Sequence, residues 1–176
     1  MSPTVDELFT ARAEIDLYRF PSFFYPTVAI LALALQAYLP LLFHLAVYLD
    51  LPLLVVIYYA LNSRHAVGSV LTGSVLGILQ DSVAHLALGL NGIAKALVGY
   101  VAASLGGKLD AEHAGVRFLV IFALYELNAA VVFIIERDLM ARPVLWWGSR
   151  LLVAGLLNGI AAVLIFRVFD RFRRMR

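Results

Sequence analysis

The sequence contains no cysteine, which excludes disulfides, thiolate chemistry and cysteine-bound zinc. It is poor in charge: 15% of its 176 residues are Asp, Glu, Lys or Arg, and 62% are hydrophobic. Soluble domains carry roughly 25% charged residues and are far less apolar. No Walker or dinucleotide glycine spacing is present to cradle a phosphate, and there is no internal repeat or low-complexity tract. These absences exclude a soluble globular domain, a disordered chain and a fibrous repeat. The net charge of +2 offers no nucleic-acid surface, because the basic excess sits in the terminal arginines. What is there is apolar sequence, and it describes an integral membrane protein. Six spans of about 20 residues use about 120 positions, which leaves one membrane domain with short loops.

The expected organisation is a cytoplasmic N-terminal segment over 1–22, a six-span membrane domain over 23–169 and a basic cytoplasmic tail over 170–176. In the first segment Thr4-x-x-Glu7 reads as a capping box, opening either a surface-lying helix or an ordinary leader. Asp6, Glu7, Glu14 and Asp16 argue against a signal peptide. The first span runs from Phe23 to about Pro40. Residues 41–50 extend it, lie in the interface or re-enter, and the flanking Pro40 and Pro52 favour a break. The second span, Leu51–Leu61, is too short to cross alone, so it borrows flanking residues or sits in a thinned or protein-lined region. A turn at 62–65 leads to the third span, Ala66–Leu79, and Gln80 to Gly89 reads as a loop or broken helix. The remaining spans are Leu90–Leu105, Val116–Ile135 and Leu151–Phe169, with a helix stop at 106–110.

An even number of spans puts both termini on one side. That side carries Arg12, Arg19, Arg64, Lys108, Arg117 and the arginines at 167, 171, 173, 174 and 176. The other carries Arg137, Arg142, Arg150 and, just inside the fourth span, Lys95. The imbalance places both termini in the cytoplasm, and Trp146 and Trp147 form an outer aromatic belt.

Ionisable groups at membrane depth are costly and mark candidate sites. Here they are Asp81, Lys95, Glu126 and Arg150, with Gln36, Gln80, Asn128 and Asn158 as neutral companions. They form either a polar cavity open to the outside or a mutually paired network that fixes helix register. Asp81 and His85 would share a helical face, but no further ligands have recognisable spacing, so no metal site is expected. Ser74 lies in Gly73-Ser-Val-Leu-Gly77 and not in a nucleophile elbow, so no catalytic residue and no cofactor is expected. Gly73 and Gly77, and again Gly155 and Gly159, are G-x-x-x-G pairs, while Gly92 and Gly99 share a face of the fourth span. Such glycines allow close approach of helices, within the chain or against a partner. Gln80, Asp81, Asn91 and Lys95 are expected to organise the outer end of spans three and four, where Gly89 and Gly92 let the chain turn.

Gly73-Ser-Val-Leu-Gly77-Ile-Leu-Gln80-Asp81, followed by Gly89-Leu90-Asn91-Gly92 and Gly99-Tyr100, resembles the signature of the rod shape-determining protein MreD family. Gln36 near the end of span one, Pro52 at the start of span two and Tyr59-Ala60-Leu61 at its end agree with it. The likeness covers roughly residues 26–170, with its specific core at 73–100; Ala87 stands where the family often has Pro. The resemblance implies a non-enzymatic membrane scaffold of the cell-elongation machinery in the bacterial inner membrane. It implies association with MreC and, through it, with the RodA polymerase, the elongation penicillin-binding transpeptidase and MreB; self-association is a further option. It also implies an all-α, six-transmembrane-helix bundle resembling the S component of energy-coupling factor transporters. A vitamin-binding S component is therefore the alternative. Against it, Ala29, Ala32, Ala34 and Ala37 in span one make none of the A-x-x-x-A pairs with which such proteins often dock.

Overall fold

A computed structural model describes residues 23–106, 108, 113–141 and 148–173. The expected N-terminal segment, the Trp146–Trp147 belt, Arg142 and the last three residues lie outside the described residues. The described chain forms six α-helices: α1 (Phe24–Leu42), α2 (Leu51–Ser63), α3 (Ala66–Val83), α4 (Leu90–Leu105), α5 (Ala114–Ile134) and α6 (Gly148–Arg173). A short 3₁₀ turn, His44–Tyr48, joins α1 to α2, and a π-helical turn, Ile135–Leu139, extends α5. α1, α3, α5 with its extension, and α6 are long and apolar enough to cross a membrane, whereas α2 and α4 are shorter apolar helices.

α2 is the centre of the molecule. Asp50 caps it, accepting from the Leu53 amide, and Pro52 occupies its first turn, where a missing N–H costs nothing. It ends at Arg64, which adopts the left-handed conformation (φ 52°). From Pro52 to Leu61 all of its side chains but Tyr59 are buried. Thirteen residues span only about 20 Å, against a hydrocarbon thickness of about 30 Å. The short helix is stable at that length because protein surrounds it.

Leu53, Leu54, Ile57 and Tyr58 of α2 pack with Val98 and Ala102 of α4, Ile121 and Leu124 of α5, and Phe166 of α6. α1 lies on the outside, with Ala32 as its one buried residue, and reaches α2 through Val28, Ala29 and Leu33. Pro40 sits inside α1 near its end, and Phe43 turns extended. The chain therefore breaks between residues 42 and 51 and does not continue as one long helix.

α3 and α4 make the most extensive contact of any helix pair. A Cβ built on Gly73 would fall on the Lys95 carbonyl, one on Gly77 on the Asn91–Gly92 peptide, and one on Gly99 2.5 Å from the Ser69 carbonyl oxygen. Across the molecule, a Cβ at Gly155 or Gly159 would meet the Phe122 or Phe118 ring at 2.9 Å and 2.7 Å. Both G-x-x-x-G pairs thus abut neighbouring helices of the same chain. One boundary differs clearly from expectation: α3 continues through Gln80 and Asp81 to Val83, where the sequence suggested a loop or broken helix. Those two polar side chains find partners in the fold, so they do not end the helix. α2 likewise keeps Asn62 and Ser63 in its last turn, and α6 runs on past Phe169.

Candidate functional site

The backbone between the 3₁₀ turn and α2 has no regular hydrogen-bond ladder. Within a bilayer such groups must be satisfied by protein. Two amides do this. Gln36 of α1 donates its Nε2 to the Leu49 carbonyl (2.9 Å) and accepts from the Leu51 N–H (2.9 Å). Asn158 of α6 donates its Nδ2 to the Tyr48 carbonyl (2.7 Å) and accepts from the Asp50 N–H (2.9 Å). Each side chain mimics a missing strand of backbone on either side of the junction. Replacing Gln36 by Leu is expected to lower unfolding stability by about 2–3 kcal/mol, because it orphans one donor and one acceptor. An SDS-titration unfolding measurement on the purified protein would read this loss.

Asp50 links this junction to the deeper polar groups. One carboxylate oxygen caps α2 (Leu53 N–H, 3.1 Å) and the other accepts from Lys95 Nζ at 2.7 Å. The Lys95 side chain is fully buried and that of Asp50 is 14% exposed. Lys95 Nζ also reaches Asn91 Oδ1 (3.3 Å), and Gln80 Nε2 approaches Asp50 at 3.5 Å. Gln80 Oε1 is buried without a hydrogen-bond partner among the described residues.

Asp81 is satisfied differently. It is buried at the end of α3 and accepts from the Gly89 N–H (2.9 Å), the Asn91 N–H (3.1 Å) and Asn91 Nδ2 (2.8 Å). Gly89 is the N-cap residue of α4 at φ 94°, a conformation suited to glycine, and it has no side chain with which to cap. Asp81 supplies the acceptor from the neighbouring helix, at the positive end of the α4 dipole. Opposite charge is therefore not what holds this carboxylate. Asp81→Asn, which puts an NH₂ where an acceptor is needed, should cost about 1–3 kcal/mol. Asp81→Glu tests whether the distance matters as well as the charge, by the same SDS titration. His85 lies beyond the end of α3 in the left-handed region (φ 53°) and is exposed, so it does not share a helical face with Asp81.

A second cluster lies at the opposite end of α2. Arg117 of α5 donates to Asp170 of α6 (2.9 Å), which also accepts from the Tyr58 hydroxyl (3.1 Å). The guanidinium lies 5.5 Å from the centre of the Phe166 ring. Asp50, Arg117 and Asp170 make part-buried polar contacts that reading the sequence for intramembrane charge does not single out. For Asp50 a signal exists: an Asp followed at the second position by Pro, ahead of an apolar run, is a helix start.

The other candidates are placed apart from this network. Asn128 is buried on α5 with its Oδ1 lacking a partner among the described residues. Glu126 is half-buried at the seam of α5 and α6, and Arg150 is exposed in the first turn of α6. Gly92 is buried beside Ile78, and Gly89, Gly92, Ser74, Ile78, Ile93 and Ala96 line a shallow surface groove between α3 and α4. Among the described residues no group of three His, Asp or Glu side chains is arranged to hold a metal ion.

Apolar helices with side chains turned to the surroundings, and an irregular junction tied off internally by amides and a buried ion pair, define a polytopic helical membrane protein. Residues 18–175 match the family model for rod shape-determining protein MreD, and the chain belongs to that family. Its role is accordingly in rod shape determination. No curated protein and no solved structure matches the chain.

Proposed function

We propose that this MreD-family chain is a non-enzymatic scaffold of the bacterial elongation machinery, binding the transmembrane segment of MreC. In this reading all six helices cross or traverse the inner membrane, α2 and α4 as short members within the bundle. Both termini are cytoplasmic, as the distribution of Lys and Arg suggests. The likeness to the S component fold belongs to the same reading as an expectation of shape. RodA, the penicillin-binding transpeptidase and MreB join through MreC.

One observation carries the preference for holding over transporting. Where the polar groups of α1, α3, α4 and α6 converge, the Lys95 ammonium fills the space between Asp50 and Asn91. The chain's own side chains fill the polar interior at this point, and a solute would have to displace the Lys95–Asp50 ion pair. The test is purification in mild detergent followed by native mass spectrometry. Recovery of a single-span MreC with the chain is the expected result, and it gives the ratio. Recovery of an ATPase pair with a transmembrane coupling subunit, or of a tightly held vitamin, would overturn the scaffold in favour of an S component.

A further inference from the structure

Glu126 is the one carboxylate of the described spans whose position has no internal explanation. It is the thirteenth of the 21 residues of α5, about 18 Å along the helix from Ala114. That depth is near the middle of a hydrocarbon core of about 30 Å, beyond reach of the headgroups for so short a side chain. Its Oε1 is enclosed and has no hydrogen-bond partner among the described residues. The atom rests against α6 at Gly155, where a Cβ would come within 2.6 Å of it. The missing side chain at position 155 makes the room the carboxyl group uses. Along α5, Glu126 shares its face with Leu119, Ala123 and Ile134, which are exposed. Leu152 and Leu156 of α6 are exposed too. Glu126 as a whole is only half-buried, so beyond its enclosed Oε1 the carboxyl group reaches an apolar seam open to the surroundings.

A carboxyl group with an unsatisfied oxygen at this depth is costly whether ionised or protonated. The groups that pair the other buried acids (an ammonium, a guanidinium, helix N–H groups) have no counterpart here among the described residues. We infer that the α5–α6 seam is the docking site for a transmembrane helix of another chain, one that brings a hydrogen-bond donor side chain to Glu126. This inference rests on the scaffold reading and assigns it a surface. The small side chains of Ala123, which is exposed, and Ala130, which is half-buried, let the incoming helix approach, and the hydrogen bond fixes its depth and rotation.

The absence of native cysteine allows a clean test. Leu119→Cys and Leu156→Cys on the seam, and Leu71→Cys and Leu97→Cys on the α3–α4 face, are each labelled with a benzophenone maleimide. Each is irradiated in membranes containing co-expressed MreC. Glu126→Leu and Glu126→Gln are assayed beside them by co-purification. Crosslinks to MreC from 119 and 156 but not from 71 and 97 are the expected result. Glu126→Leu should lower MreC recovery roughly tenfold. Glu126→Gln, whose carbonyl still accepts, should retain most of it. MreC recovered normally but crosslinked only from the α3–α4 face would overturn the seam and leave the scaffold standing. Seam crosslinks to a second copy of this chain alone would overturn the choice of occupant. Failure of the unsubstituted chain to recover MreC would overturn the scaffold reading and this inference with it. The cysteine variants keep Glu126, so they decide the question even if Glu126→Leu does not fold.

Discussion

Replacing Lys95 with Met is expected to destabilise the protein by about 3–5 kcal/mol, the cost of leaving a buried charge without its partner. The substitution keeps most of the volume of the side chain. What it removes is the ammonium that faces Asp50 at 2.7 Å. The Asp50 carboxylate would keep its bond to the Leu53 amide but lose the cation it is paired with. Asp50→Asn should be costly for the complementary reason, because the fully buried ammonium is then left facing a neutral amide. The double variant separates the two contributions. Asn is a good helix cap, and Met beside Asn leaves neither charge of the pair, so Lys95→Met with Asp50→Asn should be more stable than the two single losses predict. A double-mutant cycle by SDS titration measures that difference. A strictly additive result would mean that the pair contributes nothing as a pair.

Gly73→Leu together with Gly77→Leu is expected to abolish the folded monomer. A side chain at either position runs into peptide backbone of α4, which cannot rotate away as a flexible side chain can. Overpacking commonly costs about 1–3 kcal/mol per site, and here the whole α3–α4 contact would have to open. Gly115→Leu is the control, since a Cβ there meets nothing within 4 Å. Gel filtration in detergent after expression should show the control eluting as the parent does and the double variant aggregated. A normal elution profile for the double variant would show that α3 and α4 do not pack as closely as described.

The long apolar runs of α1, α5 and α6 can be read directly from the sequence, as can the bounds of α4. Pro40 and Pro52 announce the break between α1 and α2. The extent of α3 cannot be read in this way. Gln80 and Asp81 look like loop residues because polar side chains usually mean water. Their partners, Asp50 and the Gly89–Asn91 amides, are brought to them only by folding. The glycine pairs show a similar limit. Spacing says that two glycines share a helix face, but which neighbour that face meets depends on helix rotation, and this is set by every other contact. The partner of Lys95 is also a matter of tertiary structure. Asp81 lies nearer in sequence and carries the right charge, yet the first turn of α4 claims it, and Asp50 is the acid within reach. Arg117 and Asp170 carry no local sign of their meeting, because 53 residues separate them.

The Asn158 bonds join positions 108 and 110 residues apart, and this separation sets an order of assembly. At roughly 5–20 residues per second of synthesis, Asn158 leaves the ribosome on the order of 5–20 s after Tyr48 and Asp50. The α3–α4 hairpin can close in that interval, because everything it needs has already been made. The junction ahead of α2 must wait for Asn158 before its Tyr48 carbonyl and Asp50 amide gain their partner. The polar junction is therefore completed only once α6 is in place, and α6 is the helix that closes it.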